Sequence, residues 1–324
     1  MDKFVIQGGS ELRGEIPISG AKNAALPAMA AALLTDREVV LDRIPMVRDI
    51  RTMARLLEST GATVESRDGG YSIRAASVAS AEAPYDLVKT MRASSLVLGP
   101  LLARTGRARV SLPGGCAIGA RPINLHLEGL RELGATVEQR YGYVEARAPR
   151  GLKGGSIRFD RITVTGTEDL MMAATIADGE TILENAAREP EIADLADLLT
   201  KMGASIEGAG SSTIRIRGTG RLEGACHAII PDRIEAGTYL VAGALLGRDL
   251  TITGAESRHM EALITQMARA GAEVACPETG EALAIDPLDH RKCLASAKRN
   301  ADGLASLRRS QHEICPGEQI CILK

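Results

Sequence analysis

Four times along the chain an amphipathic run ends in Gly-Ala and passes into a β-type segment. The copies are Gly61-Ala62-Thr63-Val64, Gly134-Ala135-Thr136-Val137, Gly203-Ala204-Ser205-Ile206 and Gly271-Ala272-Glu273-Val274. Apolar positions at helical spacing precede each, over 53–57, 125–133, 192–199 and 263–267, which predicts a helix closed by a glycine cap. Further upstream each copy has an Ala-rich helical run and then a turn, near Asp36, Gly106, Gly179 and Gly247. A short β-branched strand follows the turn, as in Val39-Val40-Leu41 and Thr251-Ile252-Thr253. One unit therefore reads strand, helix, strand, helix, strand.

A single Gly-Ala step would mark no more than a helix end. Four at a period of about 70 residues mark a duplicated fold, and that period is too long for an open solenoid of 20–50-residue repeats. A few α/β units closing a globular domain are expected. The pattern stops near residue 285. Asp286 to Lys324 carries Cys293, Cys315 and Cys321, contains no fifth copy and has neither helical nor strand periodicity, so this tail is expected to be poorly ordered.

Composition narrows the function. The 324 residues are 45% hydrophobic and 25% charged, an ordinary globular balance, and the core must come from Ala, Leu, Ile and Val because there is no Trp and only two Phe. A net charge of −2 leaves no basic excess for a phosphate backbone, and the scarcity of aromatic residues gives no stacking platform, so nucleic acid is not expected as a partner. The longest apolar stretch, Ala24–Leu34, is too short to span a bilayer and contains Pro27, and Met1-Asp2-Lys3-Phe4 does not start an export signal. No membrane association and a cytoplasmic location are expected. The six Cys form no Cys-x-x-Cys pair and have no His at metal-ligand spacing, so no metal is expected and the thiols should be reduced.

Candidate chemistry lies in loops that open helices. Leu112-Pro113-Gly114-Gly115-Cys116-Ala117-Ile118-Gly119-Ala120-Arg121-Pro122 places a thiol in a Gly-rich turn. A lone Cys is usually a small buried hydrophobe. Exposed backbone N–H groups and Arg121 close in sequence would instead stabilise its thiolate and suit an anionic ligand. Lys22 and Asn23 open an Ala-rich helix after Gly20. A cation there is misplaced against the helix dipole, so it reads either as an indifferent surface Lys or as a grip on phosphate or carboxylate. Arg92, in Thr90-Met91-Arg92-Ala93-Ser94, repeats the placement, and the three cations together suggest one anion site. Ala187-Arg188-Glu189-Pro190-Glu191 and Pro231-Asp232-Arg233-Ile234-Glu235 read first as helix caps and surface ion pairs. No Walker A loop and no Gly-x-Gly-x-x-Gly dinucleotide loop is present.

Taken together, Gly20–Ala24, Met91–Ser94, Pro113–Pro122, Glu184–Glu191 and Pro231–Glu235 closely resemble, in order, the motifs of the UDP-N-acetylglucosamine 1-carboxyvinyltransferase family of enolpyruvyl transferases. The resemblance runs from Met1 to about Ile285. It implies an α/β fold, the inside-out α/β barrel of that family, with three repeat units in each of two domains. Residues 22–221 would form a complete first domain, 1–21 with 222–285 a partial second one, and 286–324 an aberrant tail. The implied reaction is enolpyruvyl transfer from phosphoenolpyruvate to the 3′-hydroxyl of UDP-N-acetylglucosamine, with phosphate released and no cofactor. Cys116 would act as general acid and adduct-forming thiol, and Lys22, Arg92 and Arg121 would hold phosphate and carboxylate. Asn23, Arg121-Pro122-Ile123-Asn124-Leu125 and Arg161-Ile162-Thr163-Val164 would hold the nucleotide sugar. Glu189 and Asp232 would support the site.

Two departures from the family pattern stand out. Asn124 occupies the Asp position of the Arg-Pro-x-Asp-Leu run, which removes one polar contact to the uracil. The Pro-Thr-Asp loop that takes the proton from the attacking hydroxyl has no counterpart, and six units would need about 420 residues. The expectation is a truncated or frameshifted chain with little or no turnover. The competing readings are an inactive nucleotide-sugar-binding remnant and a shikimate-pathway enolpyruvyl transferase, the latter disfavoured by the Cys116 loop.

Overall fold

The computed structural model describes residues 5, 11–89, 91–112, 123–275 and 282–286. Two compact units are present: one spans 19–230, and the other takes the described residues before 19 and after 230. In chain order the first elements are β1 (Leu12–Pro17), α1 (Lys22–Ala31), β2 (Glu38–Asp42), α2 (Arg48–Ser59), β3 (Thr63–Arg67) and β4 (Gly70–Arg74). A second set follows: β5 (Glu82–Ala83), α3 (Tyr85–Val88), α4 (Leu98–Thr105), β6 (Arg107–Ser111), α5 (Asn124–Glu132), β7 (Thr136–Arg140) and β8 (Tyr143–Arg147). The third comprises β9 (Ser156–Arg158), α6 (Val164–Ala174), β10 (Glu180–Glu184), α7 (Pro190–Lys201), β11 (Ser205–Glu207) and β12 (Thr213–Arg217). The last is β13 (Ala225–Ala228), α8 (Arg233–Leu246), β14 (Gly247–Thr253), α9 (Glu261–Ala270), β15 (Glu273–Ala275) and β16 (Ala282–Asp286).

The Gly-Ala steps are helix stops with one hydrogen-bond pattern in all four copies. Gly61, Gly134, Gly203 and Gly271 take φ of 102°, 88°, 100° and 95°, a left-handed conformation open to glycine at little steric cost. The following alanine N–H reaches back to the carbonyl five residues earlier, as in Ala62 to Leu57 at 3.2 Å and Ala272 to Met267 at 3.0 Å. That is the bond of a Schellman cap, and the alanine side chain is buried where the cap's apolar contact belongs.

Each repeat holds one more strand than the sequence pattern predicts, because the segment after each Gly-Ala step turns back as a hairpin. Tyr141 and Gly142, at φ of 50° and 78°, are the two left-handed residues that a tight β7–β8 turn requires. The four sheets share one order: a parallel edge strand, the strand after the first helix, and then the hairpin. They are β13-β2-β4-β3, β5-β6-β8-β7, β9-β10-β12-β11 and β1-β14-β16-β15.

In the 19–230 unit the sheets lie outside and the helices inside, the inside-out arrangement implied by the resemblance. Ala24–Ala31 of α1 and Gly166–Ala174 of α6 are buried without interruption, as are Leu98–Leu102 of α4. Helical stretches buried on every side belong in a core. The helices α4 and α6 cross directly, and α1 touches α6 and the 3-10 turn Arg92–Val97 that leads into α4. The strands bury alternate residues against them, such as Val39 and Leu41 of β2 or Ala108 and Val110 of β6.

Two edge strands are exchanged relative to chain order. β13 precedes α8, yet it pairs with β2; β1 precedes α1, yet it pairs with β14. The unit that was expected to end at 221 therefore continues to 230. His227 of β13 is held against α7, with Nε2 2.9 Å from Asp194 Oδ1 and Nδ1 3.1 Å from Lys201 Nζ. The other unit has its own core of Ile18, Leu240, Leu250, Ile252, Met260, Met267 and Leu283 around α8, α9 and their sheet. The tail 286–324, Asp286 apart, lies outside the described residues.

Candidate functional site

The residues singled out from sequence gather at the starts of helices. Lys22 is the first residue of α1, whose N-cap Ala21 makes no side-chain cap, and Asn23 beside it is exposed. Lys22 Nζ lies 2.9 Å from Asp49 Oδ2 in the first turn of α2, both side chains about one-third to two-fifths exposed. The cation that is misplaced against the dipole of α1 thus has a carboxylate from the next helix to hold it. Arg92 opens the 3-10 turn before α4; its side chain, and all of Cys116, Arg121 and Pro122, lie outside the described residues.

Ile123 is buried and takes the N-cap position of α5, followed by Asn124 and Leu125 in the first turn. Asn124 Oδ1 is buried with no hydrogen-bond partner among the described residues. Arg161 and Ile162 are exposed just ahead of α6, and Ile162, a large apolar side chain, is 55% accessible. Thr163 caps α6, its Oγ1 accepting the Gly166 N–H at 3.2 Å, and Val164 is the first helical residue. Glu189 stands at the N-cap position of α7 without capping it, its Oε2 taking the Arg188 N–H at 3.0 Å. Asp232 caps α8 through the N–H groups of Ile234 and Glu235, at 2.8 and 3.1 Å. It belongs to the other unit.

A buried polar cluster joins the α5 and α6 starts, and sequence reasoning missed it. His126 Nδ1 lies 3.1 Å from Asp169 Oδ2, and His126 Nε2 lies 3.1 Å from Thr165 Oγ1. Asp169 Oδ1 accepts the Gly99 N–H of α4 at 2.7 Å, so one carboxylate ties together three helices. Burial pushes the Asp169 carboxyl upward, against the His126 and Gly99 donors that favour its charged form. Glu168 is buried, and its Oε1 has no hydrogen-bond partner among the described residues. Burial, then the negative charges of Glu191, Asp169 and Glu189, push its carboxyl well above the usual range. The sequence signal was present: Glu168-Asp169 is an acidic pair directly before the apolar run Leu170–Ala174. Among the described residues no group of three or more His, Cys, Asp or Glu is arranged to hold a metal ion, and no helix is long and apolar enough to cross a membrane.

Residues 6–293 match the family model of EPSP synthase (3-phosphoshikimate 1-carboxyvinyltransferase). A UDP-N-acetylglucosamine 1-carboxyvinyltransferase from Solibacter usitatus is 65% identical over 277 residues, 86% of this chain and 66% of that protein. One from Koribacter versatilis is 60% identical over 278 residues, 85% of this chain and 64% of that protein. The chain thus spans about two thirds of the length of the curated relatives it matches. Among solved structures, the enolpyruvyl transferase NikO from Streptomyces tendae superposes with a TM-score of 0.77 at 26% identity, over 88% of this chain and 68% of that one. An EPSP synthase from Acinetobacter baumannii shares the fold, with a TM-score of 0.69 at 17% identity, over 87% of this chain and 65% of that one. The repeated sheets, the inner helices and these matches agree: the chain belongs to the EPSP synthase family of enolpyruvyl transferases, and its high-identity relatives there are UDP-N-acetylglucosamine 1-carboxyvinyltransferases.

Proposed function

We propose that this chain binds phosphoenolpyruvate and UDP-N-acetylglucosamine and carries the thiol and cationic groups of enolpyruvyl transfer to the sugar 3′-hydroxyl. The observation that carries the reading is the 65% identity to an enzyme of that name, together with a family match that contains every residue concerned. In that reaction the 3′-hydroxyl gives its proton to a base as its oxygen bonds to C2 of phosphoenolpyruvate and C3 takes a proton from an acid; the tetrahedral adduct then gives a C3 proton to a base and expels phosphate, which restores the double bond. Cys116 gives the first proton to C3. Lys22, Arg92 and Arg121 hold the phosphate and carboxylate and neutralise charge as it moves. Asn23, Arg121–Leu125 and Arg161–Val164 hold the nucleotide sugar, with Glu189 and Asp232 in support. The reading carries a cytoplasmic role in peptidoglycan precursor synthesis.

A binding module without turnover is the second reading. Calorimetry with UDP-N-acetylglucosamine and a phosphate-release assay with both substrates separate the two. Binding with sugar-dependent phosphate release supports transfer, and binding without release supports the module. An absence of binding to either substrate overturns both.

A further inference from the structure

The hydroxyl, imidazole and carboxylate of Thr165, His126 and Asp169 stand in a line within one unit, each step 3.1 Å long. His126 and Asp169 are buried, whereas Thr165, in the first turn of α6 beside Thr163 and Val164, is half-buried. We propose that Thr165 is a ligand-contacting residue of the nucleotide-sugar site and that Asp169, acting through His126, fixes the direction of its hydroxyl. This inference rests on the nucleotide-sugar reading of the α5 and α6 starts.

Gly99 N–H can only donate, so it holds an acceptor oxygen at Asp169 Oδ1. With Asp169 ionised and the imidazole neutral, Oδ2 is a second acceptor and the ring carries its one proton on Nδ1. His126 Nε2 is left with a lone pair, which the Thr165 O–H fills. The outward side of Thr165 Oγ1 therefore presents lone pairs alone. Such a group accepts from an N–H or O–H of the nucleotide sugar, a sugar hydroxyl, acetamide or imide, and it disfavours a phosphate oxygen, which has no proton to give.

Asp169→Asn reverses the chain. Because Gly99 N–H keeps the amide oxygen on its side, the new NH₂ faces Nδ1, the imidazole proton moves to Nε2, and Thr165 is forced to accept from it. Its own O–H then points outward. Long-range proton–nitrogen NMR on the full chain labelled in histidine, with His126 assigned by His126→Gln, should show the Nδ1–H tautomer in the wild type and Nε2–H in Asp169→Asn. Calorimetry with UDP-N-acetylglucosamine should show a loss of about tenfold for Asp169→Asn and for Thr165→Val, the scale of one hydrogen bond, with Thr165→Ser close to wild type. The double variant Asp169→Asn/Thr165→Val should bind no more weakly than Thr165→Val alone.

An Nε2–H tautomer in the wild type, or losses that multiply in the double variant, would overturn the positioning role. A wild-type chain that binds no UDP-N-acetylglucosamine would overturn the ligand role and the reading beneath it, while the tautomer still decides the positioning role. If Asp169→Asn does not fold, the wild-type tautomer and the Thr165→Val and Thr165→Ser affinities still decide.

Discussion

The crossing of α4 and α6 leaves no room at Gly99, and filling it should cost the 19–230 unit a measurable part of its stability. A Cβ on Gly99 would lie 2.5 Å from the Asp169 carbonyl oxygen and 2.7 Å from its Oδ1, where carbon contacts settle near 3.5–4.0 Å. The carbonyl is backbone and cannot swing aside, so the helices must part. Overpacking of this kind costs about 1–3 kcal/mol, and stretching the buried 2.7 Å bond from Gly99 N–H to the carboxylate costs about 1.5–3 kcal/mol more. Alanine returns about 1 kcal/mol through its better helix propensity. Gly99→Ala should therefore destabilise by about 1.5–5 kcal/mol, or about 3–20 °C in melting temperature for a unit of this size. Urea denaturation followed by far-UV circular dichroism measures it. Gly134→Ala is the control, since that position has φ of 88° and open space around it and should lose only about 1–2 kcal/mol of backbone strain. A Gly99→Ala variant as stable as the wild type, or one that loses no more than the control, would refute the close crossing.

Three further outcomes follow from the buried and paired charges. Glu168 keeps its proton to a higher pH folded than unfolded, so stability should fall as pH rises from its ordinary value of 4.5 through the raised folded value; Glu168→Gln should flatten that fall in a series of thermal melts, and an unchanged slope counts against the raised carboxyl. His227→Ala leaves the buried Asp194 carboxylate without its imidazole and should cost about 3–5 kcal/mol. Hydrogen exchange should show 225–228 losing protection first, and uniform loss across the unit would contradict the hold of His227 on β13 against α7. Lys22→Ala breaks a part-exposed ion pair worth at most about 1 kcal/mol, so its melting temperature should hold while phosphoenolpyruvate affinity drops more than tenfold; equal affinity would remove Lys22 from the anion site.

The repeat was legible because its signal is local. A Gly-Ala step after an amphipathic run is the sequence form of a Schellman cap, and all four proved to be one. The hairpin return strands escaped because β4, β8 and β12 lie beyond a turn and each read as part of one extended segment. The strand exchange escaped for a different reason: the patterns around β1 and β13 report that a strand forms, but not which sheet edge receives it. The local pattern marks the helix start at Lys22, and the resemblance brings in Asn124 and Thr163, yet neither points to His126, Thr165 and Asp169, whose roles come from partners 39 and 43 residues away in the chain. Cys116 was chosen on its Gly-rich neighbours, and its surroundings fall outside the described residues.

The central claim, that this chain carries a phosphoenolpyruvate site built around a reactive thiol, is tested most directly by peptide mapping after brief exposure to a small phosphonate epoxide, with and without phosphoenolpyruvate. The account predicts that label falls on Cys116 ahead of the other five cysteines, that phosphoenolpyruvate suppresses it, and that Lys22→Ala slows it. Label concentrated on Cys226, Cys276, Cys293, Cys315 or Cys321 with Cys116 untouched, or labelling of Cys116 that phosphoenolpyruvate does not slow, would contradict it.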